Sequence, residues 1–230
     1  MVSDELPEET AKAATLGPLV RKVGHLVRNK LAVLVNSTYY LRLRLGDTDE
    51  KVTRHLNLME REVAVASAVV ADLMDFSMVK EPARRPLDVN QLVSDVLSGL
   101  AHPSGVEIAA ELTPGLPLIE ADQAQIARAL GKLLVNAIEA MTAGGRLTVC
   151  TGLSNDGQAV WITVSDTGPG IPAEDQARLF DPLFTTKPQG FGLGLPIARE
   201  FVKRHGGQLE VRSGPEGGTI CTVTLPLGGQ

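Results

Sequence analysis

From Leu16 to about Leu45 the positions Val20, Gly24, Val27, Leu31, Leu34, Thr38, Leu41 and Leu45 recur at alternating spacings of four and three. That is the seam of a helix packed in a bundle. After the break Gly46-Asp-Thr-Asp49, whose aspartates are N-cap candidates, Val52, Leu56, Met59, Val63, Ala66, Val70 and Leu73 repeat the pattern. The two segments predict a helical hairpin over 16–81, preceded by a flexible tail over 1–15. Two amphipathic helices of this length cannot bury both apolar faces against each other alone. A second copy is therefore expected to complete a dimeric four-helix bundle.

Glu81-Pro-Ala-Arg-Arg-Pro86 carries two prolines, and after it the pattern changes from heptads to mixed helix and strand. Residues 82–86 read as a linker and 87–228 as a second domain. Within it the sequence predicts a helix at about Val89–Leu100 and strands near Val106–Leu112 and Pro117–Ile119. A helix at about Ala121–Met141 and strands near Arg146–Leu153 and Ala159–Ser165 come next. A glycine-rich region, a helix at about Leu193–His205, and strands near Gln208–Ser213 and Gly218–Leu225 complete it. A sheet covered by helices on one face is the implied α+β layer.

The composition fits a folded chain. Of its 230 residues 43% are hydrophobic and 21% charged, with a formal net charge of −5. The negative balance, with no basic run or aromatic platform, argues against nucleic acid or an anionic membrane as partner. No apolar stretch approaches the roughly 20 residues needed to span a bilayer, and the N-terminus lacks the pattern of a signal peptide, so a cytoplasmic protein is expected. Cys150 and Cys221 lie in strand-like segments without metal-binding spacing and read as buried thiols rather than a disulfide or metal site.

Chemistry is concentrated in three ordered clusters: Asp166-Thr-Gly-Pro-Gly-Ile171, Phe180-Asp-Pro-Leu-Phe-Thr-Thr-Lys187 and Gly190-Phe-Gly-Leu-Gly-Leu-Pro-Ile-Ala-Arg199. Glycines let backbone N–H groups approach phosphates, and a helix opening at Leu193 turns its positive end to the same anion. No βαβ unit with an acidic ribose-binding residue accompanies them, so a dinucleotide fold is not supported.

With these clusters the chain resembles the sensor histidine kinases, and its C-terminal half resembles the Bergerat-type ATP-binding domain they share with gyrase, Hsp90 and MutL proteins. The resemblance runs from Leu16 to Leu227. The family's phosphoacceptor pattern corresponds to His25-Leu-Val-Arg-Asn-Lys-Leu31, which implies His25 as phosphoacceptor and Asn29 as the residue positioning water for dephosphorylation of a response regulator. The segment Ile126–Met141 resembles the family's N box, implying ATP with Mg²⁺ held by Asn136, a hard neutral oxygen ligand. Glu139, one turn on, is placed to orient a magnesium water. The resemblance further implies that Asp166 accepts from the adenine amino group, and that Gly168, Gly170, Ile171, Thr186, Lys187, Gly190, Gly192, Leu193, Gly194 and Leu195 form the nucleotide loops and lid. Phe180 and Phe184 are expected to anchor that lid, and Lys187 to meet the phosphates. A response regulator receiver domain and a second copy of the chain are the implied partners.

Three residues depart from the family. Leu26 stands where an acidic residue usually accepts the histidine proton, Lys30 replaces a proline, and Lys132 replaces an asparagine and puts a cation near the phosphates. Two further readings remain. One is a catalytically weak module that docks, dephosphorylates or relays phosphate from a response regulator, which Leu26 favours. The other is an ATPase or serine kinase of the gyrase and Hsp90 type, against which the His25 hairpin argues.

Overall fold

A computed structural model describes residues 6–46, 49–77, 81–100, 105–187, 190–214 and 217–228, with the side chains of 6–22, His25, Phe76 and Ser77 outside that description. The chain divides into two compact units, 1–79 and 80–230.

The first unit is a hairpin of α1, Leu6–Leu45, and α2, Glu50–Ser77. The helix α1 begins well before Leu16, so most of the expected tail is helical. Pro7 just inside the start, the acidic Glu8 and Glu9 in the first turn and the Ala-Lys-Ala-Ala run behind them all favour helix, whereas the heptad pattern reports only where a helix packs. Gly46 ends α1 at φ +58°, its N–H returning 3.0 Å to the Arg42 carbonyl. Asp49 caps α2, its Oδ1 accepting from Lys51 N–H at 2.8 Å, while the N-cap candidate Asp47 lies outside the described residues.

Among the described residues of the hairpin, Gly24, Thr38, Leu56 and Met74 are buried. A Cβ at Gly24 would stand 2.6 Å from Met74 Cγ, so the missing side chain is what lets Met74 seat there. Arg42 adds a bidentate pair to Glu60 across the helices, at 2.9 and 2.8 Å, and that hydrogen bond holds the Glu60 carboxyl below its usual range. The expected seam is corrected in places. Met74 is buried where Leu73 was expected, and Leu34, Leu41, Leu45, Met59 and Leu73 remain exposed. A strict repeat of 3.5 drifts against the 3.6-residue turn, and one hairpin has only one face to offer each helix.

The second unit contains β1 (Arg85–Leu87), α3 (Val89–Ser98), β2 (Val106–Leu112), β3 (Ile119–Ala121), α4 (Gln123–Ala140), β4 (Gly145–Leu153), β5 (Ala159–Asp166), α5 (Gly194–Arg204), β6 (Gln208–Ser213) and β7 (Thr219–Pro226). The main sheet runs β2-β4-β5-β7-β6, with β2 and β4 parallel and the other pairs antiparallel. Period-two alternation turns Leu147 and Val149, Val160, Ile162 and Val164, and Val223 and Leu225 into one buried face. Against it the helices bury Leu92, Ile126, Leu130, Leu133, Leu134, Ile197 and Phe201. No helix among the described residues is long and apolar enough to cross a membrane.

Part of the expected linker belongs to this unit, because Arg85–Leu87 pairs antiparallel with Ile119–Ala121. That pairing also moves β3 two residues beyond the expected strand. Asp122 stabilises the junction. Its Oδ1 caps α4 by accepting from Ala124 and Gln125 N–H at 3.0 and 3.2 Å, and its Oδ2 accepts from Ala83 N–H at 3.0 Å. Its own N–H donates 2.9 Å to Nε2 of the buried His205, whose Nδ1 donates to the Phe201 carbonyl at 2.7 Å. Desolvation opposes the Asp122 charge, but the three backbone donors outweigh it and hold the carboxyl below the usual aspartate range. A depressed carboxyl stabilises the fold above its unfolded-state pKa and loses that effect as pH falls through the folded one. Asp122→Ala is therefore expected to cost about 1–2 kcal/mol at neutral pH, with the difference in urea midpoint shrinking at acid pH below the ordinary aspartate range.

Candidate nucleotide site

The site is built at the C-terminal end of α4. The register of β5 makes Asp166 the last inward-facing residue after Val160, Ile162 and Val164, and leaves it buried beside the helix layer. Its Oδ1 accepts from Gly168 N–H at 2.8 Å and from Thr219 N–H at 3.1 Å, and among the described residues nothing donates to Oδ2. One carboxylate oxygen thus orders two loops, while the other is left for a ligand. Gly168 lies against the end of α4, where a Cβ would meet the Ala140 methyl at 3.2 Å. Gly170, at φ +75°, faces the Gly218 carbonyl, and Ile171 is tied to β6 through Ser213 Oγ, which accepts from its N–H at 3.3 Å and donates to its carbonyl at 3.0 Å. Cys221 is buried nearby on β7, and burial, reinforced by the Asp166 charge, pushes its thiol up to about 12. Cys150 is half-buried rather than buried, and both thiols are free.

Three sequence-predicted residues of α4 share one flank. A Cβ at Gly194 would lie 3.6 Å from Asn136 Nδ2 and 3.9 Å from Lys132 Cδ, which brings the start of α5 onto Asn136 and Lys132. Leu193 precedes that helix as a buried residue without a side-chain cap, so Gly194 and Leu195 N–H groups open the helix and Pro196 has none to offer. Lys187 reaches α4 from the lid. Its Nζ donates to Glu139 Oε2 at 2.8 Å, to the Asn136 carbonyl at 3.2 Å and to Asn136 Oδ1 at 3.3 Å. An ammonium resting on oxygens of Asn136 and Glu139 is a stand-in for a cation, and an all-oxygen donor set of one amide and one carboxylate suits Mg²⁺. Among the described residues no cluster of histidine, cysteine, aspartate and glutamate offers another metal site.

The expected lid, from about Thr167 to Phe191, contains a 3₁₀ turn, Gln176–Arg178, that the sequence pattern does not signal. Phe180 is held to α5 by Arg199, whose guanidinium stacks 4.4 Å from its ring centroid and donates to its carbonyl. Phe184 is half-buried, with the Arg178 guanidinium 4.2 Å from its ring centroid. Leu183 adopts φ +68° and donates its N–H to the Gly192 carbonyl at 3.1 Å, while Gly192, at φ +64°, has no room for a Cβ beside Phe184. Thr186 is exposed and makes no hydrogen bond among the described residues. The neighbouring Thr185 does, its Oγ1 accepting from Lys187 N–H at 3.1 Å, and Gly190 N–H closes the turn on the Lys187 carbonyl. Gly218 and Thr219 lie against Asp166 and are not among the sequence-predicted site residues, although the glycine pair before the last strand marks them.

Of the hairpin candidates, His25 lies on α1 with its side chain outside the described residues, and Asn29 follows one turn later, exposed. Leu26, beside His25, is 59% exposed.

Residues 121–229 match the family model of histidine kinase-, DNA gyrase B- and HSP90-like ATPases. The chain carries a domain of that family. Its relatives are sensor histidine kinases along nearly its whole length. It is 31% identical to the signal transduction histidine-protein kinase AtoS of Escherichia coli K12 over 226 residues, which covers 96% of this chain and 36% of AtoS. The chain thus spans about a third of that relative's length. Two solved structures share its fold: full-length ShkA in complex with AMPPNP, at TM-score 0.76 and 24% identity over 93% of this chain and 46% of ShkA, and ThkA in complex with the response regulator TrrA, at TM-score 0.66 and 23% identity over 99% of this chain and 68% of that one.

Proposed function

We propose that this chain is a histidine kinase core that binds Mg·ATP in the C-terminal unit, phosphorylates His25 and passes the phosphoryl group to an aspartate of a response regulator. The observation that carries this reading is the convergence of Asp166, Asn136, Glu139, Lys187 and the open start of α5 on one end of α4. Asp166 Oδ2 would accept from the adenine amino group, and the N–H groups of Gly194 and Leu195 would take the phosphates, with Lys132 alongside. Asn136 and Glu139 would hold Mg²⁺, which supplies charge neutralisation as the γ-phosphoryl leaves.

In the transfer, the unprotonated ring nitrogen of His25 donates its lone pair to the γ-phosphorus. The bond from that phosphorus to the β,γ-bridging oxygen breaks, and ADP departs with the electron pair. The imidazolium then sheds its other ring proton, which Leu26 cannot accept, so the proton passes to water. The exposed Leu34, Leu41, Leu45, Met59 and Leu73 support a second copy of the hairpin as the partner that completes a four-helix bundle. The exposed Asn29 supports dephosphorylation of the response regulator by the same hairpin.

Incubation with γ-labelled ATP and Mg²⁺ tests the reading. Acid-labile label on the chain, absent from His25→Gln, is the expected result, and Leu26→Glu should accelerate labelling about 10- to 100-fold. A second reading, a module that mainly dephosphorylates or docks a response regulator, is favoured by Leu26. It predicts no label on the chain but loss of phosphate from a phosphorylated receiver domain. Acid-stable label, or free phosphate alone, would overturn both.

A further inference from the structure

We propose that Lys187 is an internal counter-ion that competes with the divalent metal for Asn136 and Glu139, so that the arriving metal–nucleotide frees the lysine for the phosphates. The inference rests on the nucleotide reading above and goes beyond it by giving Lys187 two successive partners. A lysine ammonium has three N–H donors, and all three find oxygen here: Glu139 Oε2, Asn136 Oδ1 and the Asn136 carbonyl. The ammonium also sits at the last turn of α4, where the helix dipole is negative and favours a cation. The lysine is therefore satisfied on α4 rather than held ready in the lid.

The same two side-chain oxygens are the hard donors a magnesium ion would take, and one pair of oxygens cannot serve both cations at these distances. This side chain fastens the lid to the last turn of α4, close to the turn closed by Gly190 N–H on the Lys187 carbonyl. Exchange of the ammonium for the metal thus unfastens the lid and releases a positive charge beside the start of α5, where the phosphates are bound. Lys187 is on this account a positioning residue before the metal arrives and a phosphate ligand afterwards.

The test uses the full chain and Mn²⁺ alone, followed by its electron paramagnetic resonance signal without nucleotide. Lys187→Met is expected to bind Mn²⁺ about three- to tenfold more tightly than the wild-type chain, the range a half-exposed ion pair allows. The same variant should bind ATP in the presence of a chelator about threefold or more weakly, since the phosphates lose their lysine. Unfolding midpoints within error of each other establish that both proteins are folded. Mn²⁺ affinity that is unchanged or weaker in Lys187→Met overturns the competition, and metal-free ATP affinity that is unchanged or stronger overturns the delivery to the phosphates. If the wild-type chain binds no ATP with or without metal, the nucleotide reading fails. The Mn²⁺ titration still decides the competition in that case.

Discussion

Asp166→Asn is expected to lower ATP affinity about 100-fold while the fold stays in place. The asparagine oxygen can keep the two bonds from Gly168 and Thr219 N–H, because both partners are donors and only an acceptor satisfies them. That choice pins the new amide NH₂ where Oδ2 stood, facing the amino group of adenine. Two donors then oppose each other in a partly desolvated site, at a cost of roughly 2–3 kcal/mol. Inosine triphosphate carries a carbonyl in place of that amino group and accepts from the new NH₂. The preference for ATP over it should therefore fall at least about tenfold in the variant. Competition binding with the two nucleotides measures both effects, and an Asp166→Asn chain that binds ATP as the wild type does would remove Asp166 from the adenine site.

The largest expected loss of stability comes from Gly218→Ala. A Cβ there would lie 1.9 Å from the Asp166 backbone oxygen, and φ is +75°. Neither problem can be relieved by a side-chain rotation, since the obstructing atom is backbone. A cost of about 3 kcal/mol or more follows from the overlap and the left-handed backbone together, roughly 10 °C in the melting temperature of a unit of this size, and nucleotide binding should be lost with it. Gly157→Ala is the control. Its φ of +67° imposes the backbone penalty, but nothing lies within 4 Å, so a cost of only about 1–2 kcal/mol is expected. Circular dichroism melts of the two variants separate steric overlap from backbone strain, and equal midpoints would contradict the contact at Gly218.

Much of the C-terminal architecture was legible because its signals are local. Alternation marks β4, β5 and β7, and the segment around Asn136 reads as one amphipathic helix. What was not legible depends on residues distant in the chain. Nothing between Arg85 and Leu87 announces a strand, because its partner is Ile119–Ala121, and Pro86 argues against one. Met74 is indistinguishable from Leu73 by hydrophobicity alone, and the choice falls to the phase of α2 against Gly24. The candidate site shows the same division. The glycines follow from residue type and spacing, and Asp166 and Asn136 from the resemblance to the histidine kinases, whereas the grip of Lys187 on Glu139 and the bond from Thr219 N–H follow only from the folded chain. Thr186 carries the motif letter, but Thr185 makes the turn, because a one-residue shift in a loop leaves composition unchanged.

The carboxylate of Asp122 holds Ala83 with one oxygen and the first turn of α4 with the other. Asn136 lies on the same helix, roughly 21 Å away at about 1.5 Å per residue. The chain that enters the C-terminal unit and the residues proposed to bind metal are therefore fastened to two ends of one rod. A displacement of residue 83 that tilted the cap would, along a helix stiff over that length, reach the oxygens that Lys187 now occupies.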